Sequence, residues 1–347
     1  MDRFESQLHS VLRTQYESSE LIGVNFAFYS PATGEQRLAA GFEDSARTQP
    51  LAPEQPWPIF SITKTYLAVL TLRLQEQGRL RLQQRLDRWF PAIPQAAQIT
   101  IRQLLNHTSG LPNYTSQSAY NEAVQAHPRQ PWDCSKILDC ALQAEPDFPP
   151  GAGWRYCNTG YWLLGDILTR TTGLSLKTLL QQQIFGPLGL QSTDYPEQFP
   201  QLTPGWSRQL SPAQALEDIR DRYHPRWAGP AGAIVSTAGD VCRFFRVLLL
   251  ERRLLSAESF AQMLTWQPVP GNHPASIKPY YGLGIGCEMD LPEGDLLGHG
   301  GCGPGYMTIV RCWPERQTVT VLFSNTDERE IQACFYPTVK AIWVGEG

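Results

Sequence analysis

The chain has 347 residues, of which 42% are hydrophobic and 18% charged, a balance too apolar for disorder. With 29 basic and 33 acidic residues the net charge is −4 and no basic stripe stands out, which argues against nucleic acid or an anionic membrane surface as the main partner. No apolar run approaches the roughly 18 residues of a membrane span. At about 150 residues per domain the length suggests two domains, ample for a core without staples.

The chain opens as MDRFESQL, without the apolar stretch of a secretory signal, so a cytoplasmic protein is expected. Its eight cysteines contain no C-x-x-C pair, and free thiols are expected rather than a disulfide framework. The six histidines lack H-E-x-x-H and H-x-H spacing, so no bound zinc is expected.

Residues 22–29 and a weaker run at 36–42 read as a strand pair, turned by Ser30-Pro31-Ala32-Thr33-Gly34. A helix then runs from Ser61 to a stop at Gly78. Ile62, Tyr66, Leu67, Val69, Leu70 and Leu72 cover most of its circumference, which places it in the middle of a core. From residue 80 to about 230 helical patterns alternate with Pro and Gly. They include Ile99–Leu105, a helix from Asn158 closed by Gly173, and a third at Leu176–Ile184, followed by a Pro- and Gly-rich loop over 186–233. Beyond it come helices at Ser236–Leu250 and Ser256–Leu264, β-like runs at 280–288, 305–313 and 317–324, and a closing helix over 329–344.

Two N-terminal strands alone are marginal, so both chain ends must share a sheet. The expected fold is α+β. An antiparallel sheet flanked by helices comes from 1–78 and 234–347, and a helical domain over 79–233 is inserted between them.

Three short motifs could carry chemistry. Ser61-Ile62-Thr63-Lys64 is the sole Ser-x-x-Lys and opens the buried helix, where positions i and i+3 share a face. Partial burial would lower the Lys64 pKa and make it a base for the Ser61 hydroxyl. The plain alternative is an N-cap serine with an unrelated lysine. Tyr156-Cys157-Asn158 is the sole Tyr-x-Asn; its phenol could relay a proton and its amide could hold a carbonyl, or Asn158 could simply cap the helix. His299-Gly300-Gly301 lies beside a β-like run, where glycine admits a close backbone approach. Gly298-x-Gly300-x-x-Gly303 also matches a dinucleotide fingerprint, but a β-like segment follows it instead of a helix, so that reading fails. There is no G-x-S-x-G, no Lys-Thr-Gly and no Ser-Asp-Asn.

Together and in this order the motifs resemble the group of class C β-lactamases, D-alanyl-D-alanine carboxypeptidases and family VIII esterases. The blocks LLNHTSGLPNY (104–114), PPGAGWRYCNTGYWLLGDILTRTTG (149–173), GPAGAIVSTAGDVCRFF (229–245) and GHGGCGPGY (298–306) extend the likeness over roughly residues 20–345. The resemblance implies a β-lactamase/transpeptidase-like fold and a serine hydrolase acting on a small or peptide-like acyl substrate, with no metal and no organic cofactor. It makes Ser61 the acylated nucleophile and gives Lys64 and Tyr156 the base and acid work. Asn158, His299, Gly300 and Gly301 would meet the substrate. The backbone N–H groups of Ser61 and Cys302 would form the oxyanion hole. His107-Thr108-Ser109-Gly110 reads as a structural turn beside the site.

The sequence departs from the lactamase pattern at His299 and Gly300, where a lysine and a threonine would grip a carboxylate. That points to esters or amides without a carboxylate. A carboxypeptidase or weak β-lactamase, a biosynthetic acyltransferase or peptide cyclase, and a non-catalytic penicillin-binding scaffold remain as alternatives. The oligomeric state is open.

Overall fold

The computed structural model describes residues 3–19, 21–209, 215–271, 273, 278–327 and 331–345. It opens with a helix that the sequence reading does not contain, α1 (Arg3–Glu17). Leu8, Leu12 and Tyr16 stand four apart on one face, and all three are buried. The hairpin β1 (Gly23–Ser30) and β2 (Gly34–Gly41) follows as expected, paired from Gly23↔Gly41 to Ser30↔Gly34.

The central helix α2 (Thr63–Glu76) has no exposed face in its first ten residues: every one from Thr63 to Leu72 is buried. Each fully buried Leu or Val there contributes about 1.5–3 kcal/mol of transfer free energy. Next come short helices, among them 118–126 and 134–141 in a span the sequence pattern left unread, and then α3 (Asn158–Thr172). Gly173 closes α3 with φ +75, the left-handed stop expected of it. Asn158 does not cap this helix; Cys157 holds that position without a side-chain bond. Helix α4 (Ala238–Phe245) is capped by Thr237, whose side chain accepts from the Asp240 N–H, and it continues as a π turn over 246–250.

The remaining strands are β3 (Gln267–Pro268), β4 (Lys278–Tyr281), β5 (Gly286–Met289), β6 (Leu296–Gly303), β7 (Tyr306–Trp313) and β8 (Thr318–Ser324). The run expected at 280–288 is two strands, because the chain turns at Gly282–Gly284. Gly284 has φ +70, and a Cβ there would lie 2.7 Å from the Lys64 carbonyl oxygen. The Thr65 hydroxyl donates to the Gly284 carbonyl at 2.7 Å, so this turn is fastened to α2.

The sheet runs β2-β1-β8-β7-β6-β5-β4-β3, antiparallel throughout. Strand β8 pairs with β1 from Val24↔Ser324 to Tyr29↔Val319, so the two chain ends do share one sheet. Val24, Phe26 and Phe28 face α1 and the last helix, α5 (Ile331–Gly345), in a cluster with Leu12, Phe335 and Val339. Ala27 and Phe323 face the opposite way, into a larger cluster that includes α2 and α4. The period of two thus sends alternate residues of one strand into two cores. Strand β6 pairs with β5 only over Leu296–Gly298, so among the described strands its ladder from His299 onward is with β7.

Candidate active site

Ser61 sits in a single 3-10 turn, Phe60–Ile62, immediately before α2. Phe60 adopts φ +43, a region that costs a bulky residue about 1–3 kcal/mol and persists only where the surroundings enforce it. One turn on, the Lys64 side chain is fully buried. Its Nζ lies 3.0 Å from Ser61 Oγ and donates to the Ala231 carbonyl at 2.7 Å. The aromatic faces of Tyr156 and Tyr161 stand 4.9 and 5.4 Å from the nitrogen. Burial pulls the Lys64 pKa well below its ordinary value, which favours the uncharged amine, the form with a lone pair to offer a hydroxyl.

The Tyr156 hydroxyl is buried and makes no hydrogen bond among the described residues. Burial drives its pKa up, against a smaller opposing effect of the neighbouring Ser61 hydroxyl. Tyr156 is therefore a phenol at neutral pH, beside the Ser61 hydroxyl. Asn158 lies on the far side of Tyr156, in the first turn of α3. Its N–H donates to Asn113 Oδ1 at 3.0 Å and its Nδ2 to Thr115 Oγ1 at 3.3 Å.

The glycines of β6 differ in purpose. A Cβ on Gly301 would lie 2.3 Å from the Ile59 carbonyl oxygen and 2.4 Å from Thr308 Oγ1. A Cβ on Gly303 would lie 2.2 Å from the Phe60 ring. These glycines let β6 press against the turn that carries Ser61, and Thr308 joins the two by donating within 3.3 Å of both the Ile59 and Gly301 carbonyls. The space beside Gly301 is filled by the protein itself. Gly300 is exposed, and a Cβ there would meet only the Thr308 carbonyl at 3.7 Å. Cys302 follows with its side chain exposed.

His299 is buried, and burial depresses its pKa to about 3, with Lys64 adding to the effect. Its Nδ1 is 2.6 Å from the Gly300 carbonyl, which can only accept, so Nδ1 carries the proton. Nε2 then accepts from the Tyr281 hydroxyl at 2.8 Å. The position therefore holds a neutral ring tied to Tyr281 at neutral pH.

The sequence reading gives no site role to Tyr281, Trp154 or Thr308, and takes His107 as part of a structural turn beside the site. Tyr281 lies in the YYGLG run and His107 in the HTSG block; neither stretch declares its partners, which are remote in sequence. Beside Phe60 on the other side of the nucleophile turn is an apolar cavity of about 50 Å³, walled by Trp227, Tyr223, Ile219 and Tyr306. Among the described residues no helix is long and apolar enough to cross a membrane.

An antiparallel sheet with a fully buried Ser-x-x-Lys helix and a glycine-rich strand pressed against the serine is the architecture of the β-lactamase/transpeptidase fold. The chain belongs to the β-lactamase family, whose model matches residues 8–336. Members of this family are serine hydrolases. Penicillin-binding protein 4* of Bacillus subtilis (strain 168) is 27% identical over 336 residues, covering 88% of this chain and 69% of that protein. The structure of D-amino acid amidase from Ochrobactrum anthropi SV3 complexed with L-phenylalanine amide superposes with a TM-score of 0.87 at 25% identity, over 100% of both chains. That of a D-stereospecific amidohydrolase from a Streptomyces species gives 0.83 at 26%, over 98% of both.

Proposed function

We propose that this protein is a serine acyl hydrolase that cleaves small esters or amides through an acyl-enzyme on Ser61. The observation that carries the reading is the fully buried Lys64 amine 3.0 Å from Ser61 Oγ. Lys64 takes the Ser61 proton as Oγ attacks the carbonyl carbon. The Ser61 and Cys302 backbone N–H groups receive the oxyanion, each such donor contributing about 3 kcal/mol to the transition state. As the tetrahedral intermediate collapses, the Tyr156 phenol protonates the leaving oxygen or nitrogen and is reloaded from Lys64. Water then enters, loses its proton to the same pair and releases the acid, restoring Ser61.

Two features narrow the substrate. The apolar cavity beside Phe60 accepts the acyl group. At about 50 Å³ it suits a short alkyl chain, being a small fraction of the roughly 150 Å³ of an apolar cavity that holds benzene. The neutral His299 and side-chain-free Gly300 offer no charged grip to a carboxylate, a contact worth about 1.5–3 kcal/mol. Short acyl esters and amides are therefore preferred over penicillins. The D-amino acid amidase likeness supports an amide of an amino acid as one such donor.

The test is intact mass after incubation with a fluorophosphonate: one adduct on the wild type and none on Ser61→Ala. Turnover of p-nitrophenyl butyrate should vanish in the same variant. Retention of a tenth of the activity would name another nucleophile. A kcat/KM for nitrocefin above that for the ester would overturn the substrate preference and favour a β-lactamase.

A further inference from the structure

His107 has features that a turn residue does not need. It takes φ +64, a backbone conformation uncommon outside glycine, and its side chain is 1% exposed. Its backbone carbonyl accepts from the Arg155 N–H at 3.0 Å. Its ring Nδ1 accepts from the Cys157 N–H at 3.1 Å. These are the two residues on either side of Tyr156. The imidazole itself lies against the Tyr156 ring, with centroids 4.3 Å apart.

We infer that His107 is a positioning residue for Tyr156: it brackets the tyrosine by hydrogen-bonding both flanking peptide N–H groups and seats its ring from behind, which aims the phenol at Ser61. The inference rests on the acyl-enzyme reading above. Two hydrogen bonds to one residue fix the backbone before and after Tyr156, and the imidazole, tilted 39° against the phenol ring, fixes the side chain between them. The left-handed backbone of His107 is what lets its carbonyl and its ring face the same segment.

The ring must be neutral to do this, because Nδ1 needs its lone pair for Cys157. The groups facing it are consistent with that state. Burial is the main cause, any charge on nearby Lys64 or His299 would disfavour the charged ring further, and the other neighbours are the rings of Tyr161, Tyr281 and Trp154. The proton then sits on Nε2, which is buried without a partner among the described residues.

Two variants separate the bracket from simple packing. His107→Phe keeps the ring and its volume but loses the acceptor for Cys157. His107→Asn loses the ring but places Oδ1 where Nδ1 was, and asparagine tolerates the left-handed backbone. Kinetics on p-nitrophenyl butyrate, the pH profile of kcat/KM and thermal stability are measured for both, with Ser61→Ala alongside. His107→Phe should lose about tenfold to hundredfold in kcat with little change in KM, the signature of misplaced catalytic groups, and should shift the pH profile. His107→Asn should recover most of that kcat and the wild-type profile. A His107→Phe enzyme with wild-type kcat and profile overturns the inference. So do losses in both variants that merely track lowered stability with an unchanged profile. If His107→Phe does not fold, a folded but inactive His107→Asn overturns it, and a folded, active one supports it. Activity persisting in Ser61→Ala is a different failure: it removes the acyl-enzyme reading itself.

Discussion

Lowering the pH should unfold this protein partly through His299, and the size of the effect follows from its surroundings. The imidazole ordinarily titrates at 6.5, and burial, with Lys64 nearby, holds it at about 3 in the native state. Between those values the unfolded chain binds a proton that the native state refuses. The contribution is therefore fully present above pH 6.5 and is lost as the pH falls toward 3. Each pH unit inside the window removes about 1.4 kcal/mol, so acidification from about pH 7.5 to about pH 5 removes about 2 kcal/mol through this one ring. His107 is depressed in the same direction and adds to the total. Urea midpoints at the two pH values would be compared for wild type and His299→Gln, whose amide can still accept from Tyr281 but cannot titrate. The wild type should lose about 2 kcal/mol more than the variant. Equal losses would show that His299 is charged in the native state or already protonated to the same extent in both states.

Two further outcomes follow from the packing. Gly301→Ala forces a methyl to within 2.3 Å of the Ile59 carbonyl, so β6 must part from the Ser61 turn. A kcat loss on the order of a hundredfold is expected in steady-state assays, whereas Gly300→Ala, with its nearest contact at 3.7 Å, should change stability by less than about 0.5 kcal/mol in urea. Among the described cysteines Cys302 alone is exposed, and burial lifts the half-buried Cys134 thiol to about 12. Ellman's reagent on native protein should show one fast thiol that Cys302→Ser removes; persistence of the fast phase in that variant would refute the assignment. The side chain of Cys334 lies outside the described residues.

Much of the architecture could be read along the chain. The apolar circumference of 62–72 required a buried helix, and the i, i+3 spacing of Ser61 and Lys64 put both groups on one side of it. The glycine at 173 stopped α3 where expected, and the marginal N-terminal hairpin required strands from the other end. The α1 helix was missed because its stripe is only Leu8, Leu12 and Tyr16 within a polar segment, and its partner α5 is more than 300 residues away. The 280–288 run was misread as one strand because a docked turn at Gly284 looks locally like more β sequence.

Other properties of the site arose only when distant segments met. The depressed pKa of Lys64 comes from its complete burial, to which segments as remote as Ala231, 167 residues away, contribute. Sequence spacing can place an amine beside a hydroxyl, but it cannot state how much water is removed from it. His299 was legible only as a replacement for a lysine; Tyr281 and the Gly300 carbonyl chose its tautomer and burial took its charge. Gly301 looked like room for a substrate until Ile59 and Thr308 filled that room. His107 looked like a turn until Arg155 and Cys157 closed on it from both sides of Tyr156. Propensity and periodicity act between neighbours in sequence and so are legible there. Desolvation, tautomer choice and close backbone approach are sums over everything within a few ångströms, and the chain decides them only once it has folded.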